Sequence, residues 1–337
     1  MWSLSTGPCG AARTDEVALD RRPMDEMLRQ LPRTPVTTRA ARRSGVPARE
    51  LAGPLWQRLH RGVHADAAVD ADDPDLRIAA VAELLPAGAA IGGWAGLRLL
   101  GARSLDGRAG SRSVEPVTVC VGRDGVIRPR RGLDLDRTPL SDDDVVEVEG
   151  VPVTTWLRSC SYLATKLPVE RSTALIDAAL HDGLGSAPEL RQHLAAMRRR
   201  HGAPRARVVA GLVDGRSASM PESVLKVVWV LEAGLPPPLV NQALVDDRGQ
   251  PLGKPDLLDV EAAMVAEYDG STHRELLEHT YDNAREEGFE SHNLVVVRAT
   301  SIDLWPRRPL LLQRLRDGRA RGLARDRSRD RWGLRPA

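Results

Sequence analysis

Aromatic residues are nearly missing from this chain of 337 residues: they make up 3% of it, with a single Phe. Proteins that hold single-stranded nucleic acid without sequence preference stack bases on successive exposed rings, and a chain so poor in rings offers no such platform. Any core must be built from Leu, Val and Ala. Cysteine is scarce as well. Cys9, Cys120 and Cys160 are scattered with no Cys-x-x-Cys pair, which argues against a zinc site or a disulfide framework and for a reducing compartment. No stretch approaches the roughly 18 uninterrupted apolar residues of a membrane span. Asp15, Glu16 and Asp20 fall where a signal peptide needs an apolar run. A soluble, cytoplasmic protein is expected.

Net charge is also small, formally +2, but it is unevenly spread. Arg and Lys are dense at 29–61, 191–207 and beyond 307, whereas 66–75 and 141–149 are acidic. Phosphate contacts need clustered rather than averaged cations, so this distribution fits a nucleic-acid partner.

The length suggests two or three domains, and the periodicity divides the chain into an α+β and α/β multidomain protein. Residues 1–23 show no periodicity and read as disordered or as a misassigned start. Over 24–66, helical signals at 25–31, 37–44 and 48–60 are followed by a tight turn and a short strand, the layout of a winged helix-turn-helix. The third helix would carry Arg49, Gln57 and Arg58, with Arg61 at the turn, as donors for DNA bases and phosphates. Residues 67–215 form an α+β middle region. Helices are expected at 75–84, 89–100, 156–165, 171–181 and 187–200, and strands at 117–121, 132–136 and 150–155. No constellation there looks catalytic. Residues 216–306 read as helix 222–233, strands 240–245, 252–260 and 264–268, helix 276–290 and strand 294–298, an α-β-β-β-α-β order. Residues 307–337 are strongly basic and read as a helix followed by a tail.

The chemistry concentrates at 254–273. Strand residues two apart share a face, so Asp256 falls beside Lys254, and Glu267 beside Asp269. If the two strands are neighbours, a carboxylate from each can share a hard cation, Mg2+ or Mn2+, completed by water and substrate phosphate. Such a cation lowers the pKa of a bound water and offsets charge in the transition state. Glu222, on the preceding helix, can add a third carboxylate.

The α-β-β-β-α-β order, with Pro255-Asp256 and then Glu267-Tyr268-Asp269, resembles the PD-(D/E)XK restriction-endonuclease-like fold. With Glu222, Asn241, Gly270, His273, Asp282 and Arg285 added, it is similar to the very-short-patch-repair-like endonuclease domain of an actinobacterial family. That resemblance implies Asp256 and Glu267 as metal ligands, Glu222 as the helix acid, His273 in general acid–base catalysis and Arg285 on the scissile phosphate. One residue departs from the pattern: Asp269 stands where the motif has its lysine, so His273 or Lys254 would have to supply the positive charge. Upstream, 24–65, 150–155 and 177–180 resemble the winged-helix and C-terminal parts of AbiEi-type antitoxins. The two resemblances imply a DNA-binding, metal-dependent endonuclease. The alternative is a DNA-binding transcriptional regulator or antitoxin with a degenerate nuclease domain and a cognate toxin as partner.

Overall fold

The computed structural model describes residues 35–108, 114–123, 125–197, 201–270 and 288–335. At its N-terminal end, β1 (Val36–Thr37) leads into helix α1 (Thr38–Arg43) and a 3-10 turn (Glu50–Ala52). A hairpin of β2 (Trp56–His60) and β3 (Val63–Asp66) follows, giving a sheet of order β1-β3-β2. Thr37 caps α1, its hydroxyl accepting from Ala40 N at 3.0 Å. Ala41, Val46 and Leu51 make a small core against Val36 and Trp56. The helix expected over 48–60 is not formed. Gly53 and Pro54 interrupt it, and Val63 and Ala65, both fully buried, impose a period of two on the hairpin. The helical signal at 25–31 lies outside the described residues.

In the middle region, helix α2 (Pro74–Ala82) precedes β4 (Ala90–Gly92), which turns directly into α3 (Gly93–Leu99). A helix beginning at 89 was expected. Gly93 takes φ +60°, and a Cβ there would meet the Thr118 hydroxyl at 2.7 Å, so the chain makes a sharp strand-to-helix corner instead. Next come β5 (Val117–Cys120), β6 (Leu133–Asp136), β7 (Val145–Val148) and β8 (Val151–Thr154), in a sheet of order β6-β5-β4-β8-β7. β6 pairs with β5 in parallel, while β7 and β8 form a hairpin around Glu149 and Gly150, both at positive φ. β8 runs into α4 (Trp156–Lys166), capped by Thr155 as its sequence predicts. α5 (Val169–His181), α6 (Ala187–Ala196) and α7 (Ala203–Leu212) complete the layer. α6 stops short of the expected 200, and α7 went unforeseen. Ile91, Trp94, Leu97, Val119, Leu163 and Ile176 lie in the shared core.

The C-terminal region opens with α8 (Met220–Val227), which continues as a π-helical turn to Glu232. Six strands then follow: β9 (Leu239–Val240), β10 (Leu244–Asp246), β11 (Pro251–Gly253), β12 (Leu257–Asp259), β13 (Met264–Asp269) and β14 (Val295–Thr300). After them come α9 (Ser301–Leu304), α10 (Arg308–Leu323) and β15 (Trp332–Leu334). The strands expected at 240–245 and 252–260 each divide in two. Asn241 turns at φ +49° and Pro255 cannot donate to a ladder. β9 and β12 therefore join the sheet β14-β13-β12-β9, while β10 and β11 join β11-β10-β15. Most of the helix expected over 276–290 lies outside the described residues.

The helix expected in the basic C-terminal segment forms as α10, and where a tail was expected the chain continues through β15 to residue 335. Gly318 and Gly322 let α10 lie close on the sheet, since a Cβ at Gly322 would meet the Ala262 carbonyl. Several arginines of the segment are engaged within the fold. Arg316 donates to the Glu232 carbonyl at 2.7 Å, Arg319 to Asp259 at 2.8 Å and Glu261 at 3.0 Å, and Arg325 to Asp330 at 2.8 Å.

The middle and C-terminal regions meet through a buried ionic cluster. Lys226 on α8 is 3% exposed and Asp177 on α5 is 0% exposed. The ammonium lies 2.8 Å from Asp177 and 2.9 Å from Asp214. Asp177 also accepts from Asp214 N, Gly215 N and the Ser223 hydroxyl at 2.9–3.0 Å. Arg308 adds a second tie, to Glu170 at 2.8 Å and Glu232 at 2.5 Å. Removing one partner of a buried pair strands the other charge. Lys226→Met should therefore lower unfolding free energy by about 3–5 kcal/mol in a denaturant titration, and the double variant Lys226→Met with Asp177→Asn should recover part of that loss.

Candidate functional site

Asp256 sits just ahead of β12, where it is stitched from two sides. Its Oδ2 accepts from Tyr268 N on β13 at 2.7 Å, and its carbonyl accepts from Asn241 N at 3.0 Å. β12 and β13 are antiparallel, with Leu257 opposite Ala266, Leu258 opposite Val265 and Asp259 opposite Met264. Continuing that register by one residue sets Asp256 opposite Glu267. The two strands are thus neighbours, and residues directly opposite in an antiparallel pair have Cβ atoms about 4.5–5.5 Å apart.

The next strand extends the row. β14 runs parallel to β13 with Arg298 in register with Glu267, and Thr300 in register with Asp269. Alternation separates the faces. Met264, Ala266, Leu257, Val297 and Ala299 share the core with α8 and α10, while Val265, Leu258 and Leu294 join Phe289 on the opposite face. By the same alternation Glu267 and Arg298 follow the second face, Asp256 lies in the bend just ahead of β12 with its carboxylate on the Tyr268 amide, and all three residues are half-buried. Two acidic residues and an arginine therefore stand at neighbouring positions, Asp256 ahead of β12, Glu267 on β13 and Arg298 on β14. Arg298, a cation within the Val-rich strand β14, was not singled out from the sequence.

Glu222 reaches the same end of the sheet through an intermediary. Its Oε1 accepts from the Ser219 hydroxyl at 2.8 Å, and its Oε2 accepts from Ala218 N at 2.8 Å and from the Asn241 amide at 3.0 Å. The Asn241 amide also donates to the Arg216 carbonyl at 2.8 Å. Asn241 thus ties the start of α8 to Asp256, and Glu222, with both oxygens occupied, shapes the site. Tyr268, between Glu267 and Asp269, has its phenol pKa raised by burial and by the neighbouring Asp269 charge.

Lys254 departs from its expected place. It is exposed in the link between β11 and β12, which is not a strand, so strand alternation does not set it beside Asp256. Gly253 at φ +141° and Pro255 break the extended run there. His273 and Arg285, with Asp282, lie outside the described residues. No group of three or more His, Cys, Asp or Glu side chains placed to hold a metal ion occurs among the described residues. Cys120 and Cys160 are both buried; burial pushes the Cys120 thiol up to about 12 and raises that of Cys160, so neither is a nucleophile at neutral pH.

In the N-terminal unit the expected DNA contacts do not share a helix. Arg49 is exposed at the start of the 3-10 turn, Gln57 and Arg58 lie on β2, and Arg61 lies at the hairpin turn. The Gln57 amide donates to the Asp66 carbonyl at 2.9 Å and the Val69 carbonyl at 2.5 Å, so it stitches the hairpin instead of facing outward. Arg58 and Arg61 are exposed. Burial, then the Arg58 charge, lowers the pKa of His64 on the partner strand.

Comparison with family models, with curated proteins and with solved structures returned no match. The site therefore rests on its own geometry, and the Asn241 link is its most exposed joint. Asn241→Ala should destabilise the fold by roughly 1–3 kcal/mol, because it removes a hydrogen bond to a carboxylate and strains a positive φ. Asn241→Gly, which relaxes that φ, should cost measurably less in the same chemical denaturation.

Proposed function

We propose that the chain is a DNA-binding protein whose C-terminal domain, of PD-(D/E)XK nuclease-like design, hydrolyses phosphodiester bonds with Mg2+ or Mn2+. The observation that carries this reading is the juxtaposition of Asp256, just ahead of β12 and bonded to the Tyr268 amide, with Glu267 on β13 and Arg298 on β14. Two carboxylate side chains on adjacent strands form the hard-oxygen donor set that Mg2+ takes when substrate phosphate and water complete its shell. When bound, the metal supplies Lewis acidity and a more acidic water. The protein's own groups do the rest. Asp256 is oriented by the Tyr268 amide, Glu267 faces it, and Arg298 neutralises a phosphate oxygen from the far side of Glu267. Arg298 supplies the cation that the motif lysine would otherwise provide, from a neighbouring strand. The exposed Arg58 and Arg61 of the N-terminal hairpin, the wing of a winged helix-turn-helix in this reading, contact the phosphate backbone.

A second reading has a specific observation behind it. Asp269 occupies the motif-lysine position and Glu222 is held by three hydrogen bonds of its own, which suits a degenerate nuclease domain in an AbiEi-type DNA-binding regulator with a toxin partner. Cleavage of supercoiled DNA with Mg2+ or Mn2+ separates the two. Under the first reading, Asp256→Asn, which keeps an acceptor for Tyr268 N, and Glu267→Gln each lower the rate at least about a hundredfold, and Arg298→Ala by roughly ten- to a hundredfold. Unchanged rates in Asp256→Asn and Glu267→Gln would sink the site. No cleavage by the wild type, with salt-dependent DNA binding weakened by Arg58→Ala and Arg61→Ala, would establish the regulator.

A further inference from the structure

A cavity lies in the middle region, where nothing in the nuclease reading requires one. It encloses about 230 Å³ between the end of β6 and helix α4, lined by Asp136, Thr138, Arg158, Tyr162, Lys166 and His201 among others. Arg158 is 6% exposed and lies 2.5 Å from Asp136 through Nη2. Its Nε is buried with no hydrogen-bond partner. A buried, unpaired guanidinium N–H calls for an acceptor.

The acceptor is not Asp136. That carboxylate already accepts from Thr138 N at 3.1 Å and the Thr138 hydroxyl at 2.6 Å, besides Arg158. The cavity's hydroxyls donate to other acceptors. Ser161 donates to the Leu157 carbonyl at 2.8 Å, Thr165 to the Ser161 carbonyl at 2.7 Å, and Tyr162 to the Asp134 carboxylate. Lys166 and His201, both exposed, add an ammonium and an imidazole toward solvent. Three basic side chains thus line a cavity with one carboxylate, itself satisfied. A guanidinium held by one acid at the wall of a cavity, with a lysine and a histidine at its mouth, is suited to a tetrahedral oxyanion.

We propose that this cavity is a binding site for a phosphate group, with Arg158 at its floor and Lys166 and His201 at its mouth. The site is independent of the nuclease row and stands whichever reading of the C-terminal domain holds. The phosphate belongs either to a small phosphate ester or to a nucleic-acid backbone, and the two sources differ in what displaces them.

The test uses the full chain, with inorganic phosphate and adenosine monophosphate as probes in a chloride background of matched ionic strength. Calorimetry is expected to show saturable binding, and thermal denaturation a rise in midpoint. Lys166→Glu and His201→Ala change exposed residues, and each should weaken the affinity by roughly tenfold or more while circular dichroism stays the same. Arg158→Lys, which keeps a cation for Asp136, should abolish binding. Absence of saturable binding in the wild type, or equal affinities in the wild type and Lys166→Glu, would overturn the proposal. With binding present, displacement of the monophosphate by a duplex oligonucleotide assigns the pocket to a backbone phosphate. Retention of the monophosphate assigns it to a free ester.

Discussion

Lys226 and Asp177 are both almost wholly withdrawn from solvent, and each has what a buried charge needs: an opposite charge and enough hydrogen bonds to replace its water. Asp177 receives two backbone amides, a hydroxyl and the ammonium, and the ammonium is shared with Asp214. The pair stands on α5 and α8, so it holds the middle region against the C-terminal one at the place where the chain passes from one to the other. A boundary at 215–216 is therefore not a free linker. The segment 214–216 is itself part of the joint, through the Asp214 and Gly215 amides.

The consequence reaches the candidate site. Helix α8 begins at Met220, and Glu222 on its first turn accepts from Asn241, whose backbone binds Asp256, whose side chain binds Tyr268 N. Each link is a single hydrogen bond of about 3 Å, yet in series they run from the buried ion pair to the row of Asp256, Glu267 and Arg298. Strands as short as β9 and β12, of two and three residues, could not hold such a row by themselves. The anchored helix and the packing of α10, made close by Gly318 and Gly322, supply the rigidity that a site of converging charges requires.

Much of this was legible. The caps at Thr37, Thr155 and Ser219 mark their helices in sequence because a hydroxyl before an apolar-periodic run satisfies orphan amides locally. The neighbouring placement of Asp256 and Glu267 follows from two alternating runs separated by a short turn. The failures share a cause. Residues 48–60 carry a helical pattern but become a 3-10 turn and a strand, because pairing with β3 and burial of Val63 and Ala65 outweigh local propensity. Beyond 307 the sequence reads as a basic helix and a solvated tail, and the helix forms, but its arginines read as solvated because their partners, Glu170, Glu232, Asp259 and Glu261, lie about 50 to 140 residues earlier, and no local pattern encodes such distances.

What the sequence by itself determined is therefore local and periodic: an α+β chain poor in aromatics, the helices with polar caps, and an acidic motif on adjacent strands. What only the tertiary structure decided is which charges meet. Arg298 stands beside Glu267 through a parallel pairing across a long crossover, Lys226 is neutralised by Asp177 on a different helix, and Arg158 keeps an unpaired N–H in a cavity formed by separate elements. Electrostatic energy depends on separation in space and on the surrounding dielectric, and neither is a property of neighbouring positions along the chain.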